Sequence, residues 1–155
     1  MLGINFRFKK KEKTVVPYIN DILEYEIIRE LRTLPIERIY AVFVKKNFSG
    51  YTPLLAVEYG DGDQFGLFEK TYKPEEVVLA NNRIDSDGII IVHNHPRHLN
   101  KIVKAYPSKG DIKSTIACGE EWQEKGCVLL DHIIVNEIQY YSFVENGLIK
   151  PCLDI

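Results

Sequence analysis

Four consecutive β-branched residues, Ile89, Ile90, Ile91 and Val92, follow Gly88 and run straight into His93-Asn94-His95. A short unbroken apolar run of this kind predicts a strand buried on both faces. Upstream, Ile22, Leu23, Ile27, Ile28 and Leu31 recur at helical spacing. They predict one amphipathic helix from Asn20 to Thr33, capped by Asn20 or Asp21, with Pro35 after its end. A strand over Ile39 to Lys45 comes next. Turn residues at Phe48-Ser49-Gly50 precede partial alternation from Leu54 to Tyr59. Gly60-Asp61-Gly62-Asp63 then reads as a hairpin connector into Gln64 to Phe68, giving an antiparallel pair beside the Ile39 strand. Lys73 to Asn82 reads as a short helix with Pro74 at its first position. Ile112, Ile116 and Ala117 mark a helix that starts near Ser108 and Asp111 and reaches about Lys125, where Gly126 stops it. Val128 to Val135 and Gln139 to Val144 are the last strands, with Asn136-Glu137 in the turn between them. This order predicts an α+β chain arranged as an α/β/α sandwich, with residues 1–155 forming a single domain.

Composition narrows the function classes. The 155 residues carry a formal net charge of -2 and are 45% hydrophobic, an ordinary globular balance that gives no electrostatic case for nucleic acid or membrane binding. The basic cluster Lys9, Lys10, Lys11 and Lys13 reads as a solvated hairpin or tail, with an anionic-partner patch as the alternative. Cys118, Cys127 and Cys152 have neither pairing nor zinc-ligand spacing and read as packing or inert thiols. The absence of a signal peptide and of an apolar run long enough to span a bilayer points to a reducing cytoplasm. Trp122 reads as a core anchor for its helix, and nothing in the sequence sets an oligomeric state.

Side chains alternate along a strand, so His93 and His95 project from the same face, about 6.5 to 7 Å apart along the chain. Asp111, in the first turn of the following helix, points back toward that strand end. Two imidazoles and one carboxylate leave a fourth tetrahedral position open, the arrangement of a catalytic rather than a structural zinc site. Two other readings stand beside this one. Histidines near a strand end also serve as surface or capping residues, and Ser108-x-x-Asp111 is equally a capping box with Ser108 at the N-cap.

Four ordered blocks, HNHP at His93, PS-x-x-DI at Pro107, LLDHIIV from Leu129 to Val135 and YYSF from Tyr140 to Phe143, resemble the RadC-like branch of the JAB/MPN/JAMM metalloprotease superfamily. The resemblance spans roughly residues 20 to 145. It implies a cytidine-deaminase-like fold with a mixed central sheet flanked by helices. It also implies Zn2+ held by His93, His95 and Asp111, Glu37 as general base and then acid, and Ser108 as hydrogen-bond donor to the oxyanion. The implied reaction is hydrolysis of a peptide or isopeptide bond, in many relatives after the C-terminal tail of a ubiquitin-like protein.

Glu37 has an alternative as a surface carboxylate paired with Arg38 or solvent, and Glu58, Glu69, Glu75 and Glu76 compete for its role. Asp131 and His132 match a structural strand of the family, with His132 a satisfied buried histidine. The chain departs from the family pattern in the twelve residues from Pro96 to Pro107, a longer spacer than usual, with Arg97-His98 where the family has Ser-Gly. This insertion shapes the rim of the site and holds His98, read as a mobile loop residue. The competing function is a RadC-type DNA-associated protein or a non-catalytic scaffold. Ligand positions filled with suitable side chains argue against the scaffold. The twenty or so residues ahead of the first predicted helix are too few for the helix-hairpin-helix usual in RadC proteins.

Overall fold

A computed structural model describes residues 16–61 and 74–150, without the side chains of 59–61 and 74. Among the described residues, five strands form one sheet in the order β2-β1-β3-β4-β5. They are β1 (Arg38–Lys46), β2 (Tyr51–Asp61), β3 (Gly88–Asn94), β4 (Leu129–Val135) and β5 (Tyr140–Ser142). β1 runs antiparallel to both β2 and β3, β3 and β4 are parallel, and β4 and β5 are antiparallel. The sheet is therefore mixed, as the resemblance implies.

β3 is buried at all seven of its positions, and the alternation of its side chains builds two apolar layers. Ile90 and Val92 join Val42 and Val44 against Ile22, Ile28 and Leu31 of α1 (Ile19–Glu24) and α2 (Glu26–Leu31). Ile89 and Ile91 join Ile39, Ala41 and Phe43 against α3 (Pro74–Arg83) and α4 (Lys109–Glu124), where Val77, Cys118 and Trp122 are buried. Helices thus cover both faces, and Trp122 is a core anchor as expected. Among the described residues no helix is long and apolar enough to cross a membrane.

The helix predicted over Asn20 to Thr33 is instead two short helices. Tyr25 between them is extended, with φ -60 and ψ 129, and its N–H closes α1 on the carbonyl of Ile22. At about 100° per residue, Ile22 and Ile28 would point some 120° apart on one straight helix. The break turns Ile19 and Ile22 of α1, and Ile28 and Leu31 of α2, onto the same sheet face. β2 also begins earlier than predicted. Pro53 sits in it at a register shift opposite Val44, on the edge strand of the sheet, where a missing N–H is tolerated. β2 continues through Asp61, whereas the strand expected at Gln64 to Phe68, Glu69, the Lys9 to Lys13 cluster and Cys152 lie outside the described residues. Cys118 and Cys127 are buried thiols.

Candidate metal centre

The antiparallel pairing of β1 with β3 sets Ile39 opposite His93, so the start of β1 and the end of β3 lie at the same edge of the sheet. β3 then leads through residues 95–108 into α4. Glu37, just before β1, His93 and His95 at the tip of β3, and Asp111 in the first turn of α4 therefore meet at one sheet edge. His93 Nε2 lies 3.2 Å from His95 Nε2 and 3.8 Å from both Glu37 Oε1 and Asp111 Oδ2. Glu37, His93 and His95 each offer a donor atom within 4.8 Å of the other two, while Asp111 approaches through His93. His93 is fully buried and Asp111 7% exposed, so the charge of the carboxylate is only thinly solvated.

Both readings of Ser108 and Asp111 meet in one arrangement. Ser108 is the N-cap of α4, its Oγ accepting from Asp111 N at 3.0 Å while Asp111 Oδ2 accepts from Ser108 N at 2.9 Å. The capping box holds Oδ2 at the helix start, 3.8 Å from His93. Capping thus orients the carboxylate toward the imidazoles. The alternative partner for Glu37 is taken elsewhere, since Arg38 pairs with Glu58. Glu75 faces Lys125 at 3.5 Å.

The donor chemistry fits a cation. His95 Nδ1 lies 2.7 Å from the carbonyl of Lys104, which can only accept, so Nδ1 carries the proton and Nε2 a bare lone pair. Burial, and then the neighbouring rings of His132 and His95, hold the pKa of His93 well below the usual histidine value. His93 is therefore neutral and also has one ring nitrogen free of a proton. Two ligand nitrogens about 2.0–2.1 Å from a tetrahedral ion stand roughly 3.3 Å apart, close to the 3.2 Å between these two.

The Pro96 to Pro107 segment is tied down by the chain around it. Leu99 and Asn100, both with positive φ, form a two-residue turn closed by the His98–Lys101 bridge. Arg97 holds Glu137 through two hydrogen bonds, Ala105 N donates to Gln139 Oε1, and Asn136 Nδ2 donates to the carbonyl of Val103. His98 lies exposed at this turn and is not in the cluster. A cleft of about 300 Å³ separates this loop from residues 32–35, with His95 on its wall.

Asn94 is the residue the sequence reading missed. Fully buried, it points to the face opposite the two histidines and holds the segment that carries Glu37. Its Oδ1 accepts from Arg38 N at 2.7 Å, and its Nδ2 donates to the carbonyls of Ile36 and Leu34 at 2.9 and 3.4 Å. Asn94→Ala is expected to cost about 2 kcal/mol in urea unfolding, because Arg38 N and Ile36 O lose partners in a poorly hydrated place. In the same variant Glu37 is released while the imidazoles stay, so any reaction that uses Glu37 should fall further than metal affinity does.

Residues 58–148 match the RadC-like JAB domain. The chain belongs to the RadC-like JAB domain family. A UPF0758 protein of Fusobacterium nucleatum is 26% identical over 129 residues, 83% of this chain and 51% of the relative. A stretch that long in a 155-residue chain cannot miss Glu37 and β1, which lie outside the family match. A UPF0758 protein of Staphylococcus haemolyticus is 42% identical over 74 residues, 48% of this chain and 30% of the relative. One from Aquifex aeolicus is 34% identical over 77 residues, 50% of this chain and 31% of the relative. The chain spans about half or less of the length of these relatives, and none of their names states an activity. The JAB superfamily includes enzymes, and this member has a candidate metal triad at the sheet edge.

Proposed function

We propose that this RadC-like protein is a zinc-dependent amide hydrolase, a metallopeptidase or isopeptidase of the JAMM type. The observation that carries the reading is the pair of imidazole nitrogens 3.2 Å apart, with carboxylate oxygens of Glu37 and Asp111 each 3.8 Å from His93 Nε2. His93, His95 and Asp111 would hold the ion. When bound, zinc supplies Lewis acidity, polarising an amide carbonyl and easing the deprotonation of water.

Glu37, 22% exposed at its side chain, would take a proton from the attacking water and return it to the leaving nitrogen. Ser108 Oγ accepts from Asp111 N, which leaves its O–H to donate to the carbonyl oxygen as that atom gains charge. The substrate class is a peptide or isopeptide, and an extended ubiquitin-like tail is the form that the family resemblance favours. The cleft beside His95 lies where a segment flanking the scissile bond would rest. Neither the DNA-associated nor the scaffold reading has an observation of its own in its favour.

Zinc titration of the full chain, paired with cleavage of tagged tail fusions, tests the assignment. Glu37→Gln is expected to bind zinc as the wild type does and to lose hydrolysis by about 10³-fold, within the range for removal of a general base. Asp111→Asn is expected to lose zinc and activity together. Hydrolysis unchanged by Glu37→Gln would remove that residue from the reaction. Loss of zinc in Glu37→Gln with retention in Asp111→Asn would exchange the roles of the two carboxylates.

A further inference from the structure

Behind the candidate centre is a second pair of buried polar side chains to which the proposed reaction gives no role. His132 lies on β4, next to β3 in the parallel part of the sheet, where Ile91 pairs with His132 and His93 with Ile134. Its ring therefore faces the same layer as His93. His132 Nε2 is 2.7 Å from His93 Nδ1, and His132 Nδ1 is 2.7 Å from Thr115 Oγ1 on α4. His93 and His132 are fully buried and Thr115 is 1% exposed. Phe143 stacks on the His132 ring, with centroids 4.5 Å apart and planes inclined by 17°, so the ring is held flat in place.

We infer that His132, backed by Thr115, is a positioning residue that sets the tautomer and ring orientation in which His93 presents Nε2 to a cation. This rests on the metal reading of the site. Two ring nitrogens 2.7 Å apart share one proton between them, so the chain of contacts can run in only two senses. In one, His93 Nδ1–H donates to His132 Nε2, His132 Nδ1–H donates to Thr115 Oγ1, and His93 Nε2 is left as a lone pair. In the other, Thr115 donates to His132 Nδ1, His132 Nε2–H donates to His93 Nδ1, and His93 Nε2 carries a hydrogen that blocks ligation. Only the first sense is competent to bind metal.

Metal-bound histidines commonly donate their other N–H to a carboxylate, a carbonyl or water. His95 does so toward the Lys104 carbonyl. His93 has a neutral imidazole in that place, which orients the ring without adding negative charge. A neutral second partner leaves more positive charge on the ion than a carboxylate would, in keeping with a cation needed for Lewis acidity.

The test uses the full chain, zinc affinity by competition with a chromophoric chelator, and ¹⁵N NMR of the imidazoles to read the His93 tautomer before and after zinc. His132→Leu is expected to weaken zinc binding by about 10- to 100-fold, the usual range for loss of such a partner. His132→Gln, whose Oε1 can accept from His93 Nδ1–H, should restore most of that loss. Thr115→Val should move the zinc-free His93 signal toward the Nε2–H tautomer and weaken zinc binding, and Thr115→Ser should reverse both changes. Val77→Ala in α3, a core truncation away from the relay, should lower the melting temperature and leave zinc affinity unchanged. Wild-type zinc affinity in folded His132→Leu and Thr115→Val, with an unmoved tautomer, would overturn the inference and leave the metal reading intact. A wild-type chain that binds no zinc would overturn both.

Discussion

Asp131→Leu is expected to cost about 4 kcal/mol or more and to leave little folded protein, because it strips the acceptor from four donors at once. Asp131 is fully buried. Its Oδ1 accepts from His132 N at 2.7 Å and Val144 N at 3.0 Å, and its Oδ2 accepts from Tyr18 Oη at 2.9 Å and Ser142 Oγ at 2.6 Å. One carboxylate thus ties the segment before α1, strand β4 and the chain after β5 together. Asp131→Asn should be far milder. Its amide oxygen can face the two backbone N–H groups, while the hydroxyls of Tyr18 and Ser142 rotate to accept from its NH₂. Urea midpoints of the two variants check this, and equal losses would show that the carboxylate charge matters more than its acceptor geometry.

Acid should unfold the metal-free protein at a pH where most carboxylates are still ionised. Burial, followed by the His95 ring, pushes the pKa of His132 down to about 3, and burial holds His93 well below its usual value. Both are neutral in the folded chain and protonated in the unfolded chain below about pH 6.5, so the unfolded state binds two more protons. Asp131 works the other way. Burial raises its pKa to about 6 although all four donors pull it down, so between about pH 4 and 6 the folded state holds a proton there that the unfolded state lacks. Two depressed imidazoles outweigh one raised carboxyl, so stability should fall on acidification through that window. Asp131→Asn removes the opposing proton and should steepen that fall. Urea unfolding at a series of pH values after chelator treatment measures both slopes, and a flat profile for the wild type would show that the imidazoles are hydrated.

Much of this was legible from residue order because the relevant contacts are local or periodic. The β-branched run of β3 declared a strand buried on both faces, and its alternation placed His93 and His95 on one side. Ser108 and Asp111 announced the start of α4 three residues apart, and the structure joins capping to site geometry in the same carboxylate. Long-range geometry was not legible. Nothing in the spacing of Ile22, Ile28 and Leu31 says that the chain turns at Tyr25, because the gain comes from packing both halves on a sheet formed later in the chain. Pro53 signalled a break, yet it is accommodated by a register shift on an edge strand. The grip of Asn94 on residues 34–38 and the contact of His132 with His93 join positions 56 and 39 residues apart, which no local pattern carries.

The opposed aims of Asn94 and its two neighbours limit where the chain can change length. Inserting or deleting one residue between Gly88 and His95 would invert the strand, swinging the imidazoles toward the α2 side and the amide toward the α4 side. No side-chain replacement could repair such a frameshift of the pleat. Past His95 that constraint lapses, because the chain leaves the sheet there. Natural variants of this fold should therefore vary in length within the Pro96 to Pro107 segment and keep the residue count of β3 fixed.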